Sequence, residues 1–443
     1  MQPHITNLVR HLPEGIVRQI ILVAVAPVLG IYAQEPVHIK ALLSVCRLWR
    51  AAALPIYCSC VTVCAFADRQ SMYWTRKGLS STKARELGWQ GYAREAVVVA
   101  SNKPASLCAL LNELRKQKDE FVKISRVKLC LVGQKTMADM PHEPRVERMT
   151  IDPGPIFSAL EDALPAIRQL KIEASNARIM HTNDAPGSHD DGGNSNIDGG
   201  RRSHVESTTT YGTQTICSRI VHIDASACPA LVFGETALPN LSSLKVNISG
   251  SSAEDMLALV RQQAATLVRL EVCYIRIRDC GGIVADQFGR PVVYSHTKEL
   301  ILDVLGAYDE SELLQRTAPS GTPFPSLEHL RCASAYPFAD DVLLRGALRS
   351  LRKLVIPIDA SVAGWLLSES STEGTRPLKR YARLAGVEVR IITRADAHDS
   401  RNQAIHARVL DVASQMSQLL WLRIRYPNSQ VAEYKQQQQQ QQQ

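Results

Sequence analysis

One short template recurs along most of this chain and restricts its fold more than any other feature. From about Phe121 onward an apolar residue is followed by two others, an apolar residue, one other and an apolar residue. It stands at Ile124-x-x-Val127-x-Leu129, Ile167-x-x-Leu170-x-Ile172, Leu241-x-x-Leu244-x-Val246 and Leu267-x-x-Leu270-x-Val272. It stands again at Leu327-x-x-Leu330-x-Cys332, Leu351-x-x-Leu354-x-Ile356, Leu384-x-x-Val387-x-Val389 and Leu419-x-x-Leu422-x-Ile424. Ser218-x-x-Val221-x-Ile223 fits with a polar first position, and Thr297-x-x-Leu300-x-Leu302 with a degenerate one. The steps between the central residues Val221, Leu244, Leu270, Leu300, Leu330 and Leu354 are 23, 26, 30, 30 and 24. Residues two apart point to one face of a strand, and the leading apolar residue turns into the same core. A single unit leaves that face wet, and stacked neighbours cover it.

Helical candidates lie between the strands. Ala253 to Arg261 carries Met256, Leu257, Leu259 and Val260 at helical spacing, Asp341 to Ala347 is a second case, and Pro239, Pro323 and Pro325 mark turns into the next strand. The order strand, helix, strand predicts an α/β solenoid with parallel strands on one side and helices on the other. An ordinary α/β domain whose strands share a pattern is the plain alternative.

The first sixty residues obey a different rule. Pro13 suits a first helical position and Glu14 complements the positive end of the helix behind it. Ile16, Val17, Ile20 and Ile21 then recur at helical spacing; after Pro27 and Pro36 the residues Leu42, Val45, Cys46, Trp49 and Ala53 repeat the stripe. Two apolar stripes in so short a segment cannot both be buried within it, which predicts a docking module. A helical hairpin packed on the rest of the chain is the alternative.

Leu12-Pro13-Glu14, the Ile pairs, Val45-Cys46-Arg47-Leu48-Trp49 and Leu54-Pro55-Ile56-Tyr57 resemble the F-box, particularly the form found in many fungal proteins. The resemblance covers roughly Leu12 to Val63. Gly15 stands where that family usually carries an aliphatic or helix-favouring residue, and the stretch from Val28 to Val37 is longer than the usual connection. The later template, with steps straddling the roughly 20 to 29 residues of leucine-rich repeats, makes the whole chain similar to F-box proteins followed by irregular leucine-rich repeats. The resemblance implies a substrate-receptor subunit of an SCF-type cullin-RING ubiquitin ligase. Leu12, Pro13, Ile20, Val45 and Trp49 would contact a Skp-type adaptor, itself tied to the cullin, and the repeats would hold an unknown target protein. A repeat scaffold without ligase association is the alternative function.

Composition is consistent with this reading. In 443 residues the formal charge of +8 is spread, apart from short groups such as Arg115-Lys116-Gln117-Lys118 and Arg201-Arg202, so neither nucleic acid nor membrane is an expected partner. Eleven scattered cysteines favour reduced thiols and a cytoplasmic or nuclear location. The apolar run Ile20 to Ile31 imitates a secretory segment, but Glu14 precedes it and Pro27 interrupts it.

The expected organisation is a helical module over 8–63, a connecting segment over 64–120 and repeats over 121–427. The interruptions are a disordered insertion over 181–215, poor in aliphatic residues, and a disordered tail over 428–443 ending in polyglutamine. Ile275 to Tyr294, with Gly281-Gly282 and Gly289, is expected to be a loop between repeats.

No motif for catalysis is present: there is no Gly-x-Ser-x-Gly elbow, Walker-type loop, His-Glu-x-x-His or Cys-x-x-Cys. No enzyme activity, cofactor or metal is therefore expected. Asn194-x-Asn196-x-Asp198-Gly199 is only half a calcium loop, and Cys58, Cys60 and Cys64 lack a fourth ligand nearby. The sequons at Asn240 and Asn247 fall inside a repeat strand, and Trp365 and Trp421 read as core or cap residues rather than ligand platforms.

Overall fold

The computed structural model describes residues 12–25, 47–64, 79–101, 104–132, 154–175, 216–228, 237–248, 253–276, 281–286, 288–305, 323–332, 350–358, 384–391, 400–414, 419–426 and 431–435. The chain opens with helices α1 (Glu14–Val25) and α2 (Arg47–Tyr57). Strand β1 (Cys60–Cys64) follows within three residues, then β2 (Leu79–Ser80), α3 (Ser81–Glu86), β3 (Glu95–Ser101), α4 (Pro104–Lys116) and β4 (Arg126–Val132). Next come α5 (Gly154–Ala163), β5 (Gln169–Ser175), β6 (His222–Ala227), β7 (Ser243–Asn247), α6 (Ala253–Gln262), β8 (Arg269–Arg276), α7 (Gly281–Val284) and β9 (Glu299–Leu305). The series ends with β10 (His329–Cys332), β11 (Lys353–Ile358), β12 (Gly386–Ile391), α8 (Ser400–Ser414), β13 (Trp421–Arg425) and β14 (Val431–Lys435).

All fourteen strands form one open sheet in the order β2-β1-β3 and then consecutively to β14. Every pairing is parallel except β13 with β14. Parallel neighbours in chain order are what a stacked array requires. The central template residues align across the sheet as one ladder: Val61, Ala96, Val127, Leu170, Ile223, Leu244, Leu270, Leu300, Leu330, Leu354, Val387 and Leu422. All of them are buried. A polar rung runs beside it, because one carbonyl in each unit accepts two backbone N–H groups from the next. Val268 and Arg269 donate to Ser242 O (2.8 and 2.9 Å), Lys298 and Glu299 to Val268 O (2.8 and 3.1 Å), and Glu328 and His329 to Lys298 O (2.9 and 2.8 Å).

The leading template residues Ile124, Ile167, Leu241, Leu267, Leu327, Leu351, Leu384 and Leu419 enter the same core. Thr297 occupies that position too, fully buried, and donates its hydroxyl to Leu267 O at 2.8 Å. A polar residue is accepted there because its one donor finds the preceding unit's carbonyl. On the other side of the ladder α6 buries Met256, Leu257, Leu259 and Val260, as its spacing predicts.

Four sequence expectations are corrected. The frame at the sixth strand is Ile220-x-x-Ile223-x-Ala225, all three buried, whereas Ser218 is exposed and Val221 half-buried. Residues 64–120 are not merely a connection. They carry β2, β3 and α4, and Cys58-x-x-Val61-x-Val63 and Ala93-x-x-Ala96-x-Val98 fill the same buried positions. Residues 431–435, placed in the tail, form β14 against β13. Where a loop was expected over Ile275 to Tyr294, β8 runs to Arg276, Gly281–Val284 form α7, and Tyr294 is fully buried, donating to Ile283 O at 2.7 Å and stacking on Phe324 with ring centroids 4.7 Å apart. The 181–215 stretch, Asp341 to Ala347, Asn194 to Gly199, Trp365 and the polyglutamine lie outside the described residues.

Candidate functional site

Two surfaces offer themselves. The first is the α1–α2 hairpin. Pro13 opens α1 by accepting the N–H groups of Ile16 (2.9 Å) and Val17 (3.1 Å), and Val17 is buried against Ala52, Ala53 and Ile56. Leu12, Leu48, Trp49 and Tyr57 border that small cluster. With Val17 turned inward, Ile16 and Ile20, four residues apart, share the outer face and stay 48% and 42% exposed. Two large aliphatic side chains thus stand partly exposed on a short helix.

Of the residues assigned to adaptor contact, Ile20 and Pro13 are exposed, Leu12 and Trp49 are half-buried in the hairpin, and Val45 lies outside the described residues. The Trp49 indole N–H is buried and has no hydrogen-bond partner among the described residues. Ile16, not named among those five residues, lies exposed beside Ile20 on the same helix face, as its i,i+4 spacing requires. Gly15 sits in the first turn with open space where a side chain would be.

The hairpin is not tethered by a linker. Leu54 and Tyr57 pack on the main core, Cys58 N–H donates to Leu54 O at 2.9 Å, and Ser59 O accepts Arg94 and Glu95 N–H at 2.8 and 2.9 Å. The last turn of α2 therefore feeds directly into the first unit of the array.

The second surface is the open face of the sheet. Side chains alternate across a strand, so burial of the ladder sends Lys128, Lys171, Asp224, Lys245, Glu271, Ile301, Arg331, Val355, Glu388 and Arg423 to the opposite face in one register row, in which the apolar Ile301 and Val355 are buried. Polar groups on this face pair, mostly across strands. Arg126 meets Glu95 at 2.7 Å, Glu173 receives Lys128 at 2.7 Å and Lys171 at 3.1 Å, Lys245 meets Glu271 at 2.8 Å, and Arg269 lies 3.3 Å from Glu299. Burial opposes ionisation of Glu173, yet hydrogen bonds from both lysines hold its carboxyl below the usual range. The hydrogen bond to Glu271 raises Lys245. At the centre, His222 Nδ1 lies 2.7 Å from Ser243 Oγ, and desolvation lowers the imidazole.

Burial pushes the thiols up, to about 12 for Cys58 and Cys217 and about 11 for Cys60 and Cys273, so each is a protonated apolar group at neutral pH. Among the described residues no group of three or more His, Cys, Asp or Glu could hold a metal ion, and no helix is long and apolar enough to cross a membrane. Asn247, the acceptor residue of the second sequon, is buried. Trp421, read as a core or cap residue, lies half-buried on the open face. Compared with known protein families and with curated proteins, the chain matches none.

Proposed function

We propose that this chain is the substrate receptor of an SCF-type cullin-RING ubiquitin ligase. The hairpin docks on a Skp-type adaptor, and the open sheet face binds a target protein. The reading is supported above all by one observation: a small helical hairpin with Ile16 and Ile20 exposed is fused without a linker to a long repeat-like sheet. Aliphatic anchors on a short helix suit a groove on a partner, where a few desolvated side chains carry most of the binding energy. A rigid join between docking helix and array holds the target at a high effective concentration near the ubiquitin-charged enzyme. The protein supplies recognition, and the bond chemistry belongs to its partners.

The test is co-purification of the full chain with a Skp-type adaptor. Wild type captures it, and Ile16→Asp combined with Ile20→Asp does not, with unchanged circular dichroism. A wild-type chain that fails to capture the adaptor overturns the reading and leaves a repeat scaffold.

A further inference from the structure

Among the described residues, cations and carboxylates of the open face are balanced along β3 to β9, and cations outnumber carboxylates at its C-terminal end. There Arg390 on β12 and Arg423 and Arg425 on β13 stand around one buried carboxylate, Glu388, while Lys353 on β11 lies beside Trp421 and Glu433 of β14 pairs with Arg423 at 2.6 Å. Arg390 Nε and Arg425 Nε approach Glu388 Oε1 at 2.9 and 3.5 Å, and Arg423 approaches Oε2 at 3.8 Å. The Glu388 side chain is only 6% exposed, whereas those of Arg390, Arg423 and Arg425 are 32%, 38% and 46% exposed. One carboxylate thus anchors three guanidinium groups that still face water. Arg331 on β10 adds a further exposed cation with no ion pair among the described residues.

Trp421 completes the patch. It pairs with Gly386 across β12 and β13, and its ring occupies the space that any side chain there would need: a Cβ on Gly386 would lie 2.2 Å from Trp421 Cε2. The ring is pinned to the sheet, with Lys353 Nζ 5.7 Å and the Arg423 guanidinium 5.9 Å from its centroid. A fixed aromatic surface ringed by pre-oriented donors is a binding platform, since little side-chain freedom is lost when it is occupied.

We infer that this platform binds an extended Asp/Glu-rich segment of the target protein. Such a strand projects carboxylates from alternate residues, about 6.8 Å apart, onto cations in excess of the local carboxylates, while its backbone lies over the indole. Single-stranded nucleic acid suits the patch less well. It favours several stacking aromatics and a continuous basic track, whereas here one tryptophan stands among interleaved glutamates and the basic excess stops before β9. The inference rests on the sheet face being the target-binding surface proposed above.

The experiment titrates the full chain with a fluorescein-labelled Asp-Glu decapeptide, an Asn-Gln decapeptide and an oligo-dT of equal length, reading anisotropy at low and physiological salt. The acidic peptide binds and the neutral one does not. Lys353→Gln with Arg425→Gln weakens binding about tenfold or more, Lys353→Arg with Arg425→Lys retains it, and Arg115→Gln with Lys116→Gln on α4, off the sheet face, leaves it unchanged. Absence of acidic-peptide binding, equal loss in the distal variant, or tighter oligo-dT binding lost in the same double variant overturns the inference. Adaptor capture is measured on the same preparations. Peptide binding lost with capture retained refutes only this platform, and capture absent with peptide bound refutes only the ligase reading.

Discussion

Glu161 holds Ile220 in the core from fifty-nine residues away. Its carboxylate accepts the N–H groups of Ser218 (3.0 Å), Arg219 (2.5 Å) and Ile220 (3.1 Å), and the Arg219 guanidinium donates back to the Glu161 carbonyl. The buried end of α5 thereby receives the chain as it returns to begin β6, and fixes the frame in which Ile220 rather than Ser218 takes the leading position and Ile223 joins the ladder. Glu161→Ala strands those donors and should destabilise the fold by about 2–3 kcal/mol, with Glu161→Gln intermediate because one oxygen acceptor remains. Urea denaturation measures this, and a change under about 0.5 kcal/mol in the alanine variant contradicts it.

The two faces of the sheet should respond oppositely. Leu244→Ala, Leu330→Ala and Leu354→Ala each truncate a fully buried ladder residue and should cost about 2–5 kcal/mol. Lys245→Ala removes a partly exposed ion pair and should cost under about 1 kcal/mol. Hydrogen exchange on Leu330→Ala should loosen β9 to β11 and spare β3 and β4, since neighbours alone share the damage in a quasi-one-dimensional array. Uniform loosening would mean one cooperative domain.

The two glycines should diverge in the same way. Gly15→Ala meets no atom within 4 Å in a helical turn and should stabilise by about 0.5–1 kcal/mol. Gly386→Ala must displace the Trp421 ring, so it should lower stability and red-shift the tryptophan emission. A Gly386→Ala spectrum identical to wild type would sink the account of this pair.

Acid should weaken the C-terminal cap. His406 on α8 contacts the Tyr426 hydroxyl through Nδ1 and lies 2.6 Å from the Tyr434 hydroxyl through Nε2, which ties α8 to β14. Burial holds the imidazole below its ordinary value near 6.5. The unfolded chain therefore takes up this proton first. The stabilisation is complete above about pH 6.5 and is lost as pH falls through the lower folded value; His222 on β6, lowered by desolvation, acts in the same sense. Thermal melts from about pH 7.5 to 5.5 should show a decline that His406→Phe reduces. An unchanged decline in the variant contradicts this assignment.

Most of the array was legible because its ladder is built from large aliphatics at fixed spacing. It failed where small residues did the same work: Ala93 and Ala96 are buried like Ile124 and Val127 but carry too little apolar bulk to mark a template. The frame slipped at Ile220 because Val221 and Ile223 imitate the pattern two residues out of step, and only Glu161, remote in sequence, decides between them. Edge strand β14 escaped because it leaves Val431 and Tyr434 exposed and adjoins a polar run. On the hairpin the stripe was readable, but which of its aliphatics turn outward depends on Val17 packing against Ala52 and Ala53. The C-terminal platform was illegible, since Lys353, Glu388 and Trp421 meet only through strand register.

The central claim is that the hairpin docks while the sheet face remains free for a target. Hydrogen exchange of the full chain with and without a Skp-type adaptor tests it most directly. The account predicts new protection confined to residues 12–25 and 47–57, with β3 to β13 unchanged. Protection on the strands, or none anywhere at saturating adaptor, would contradict it.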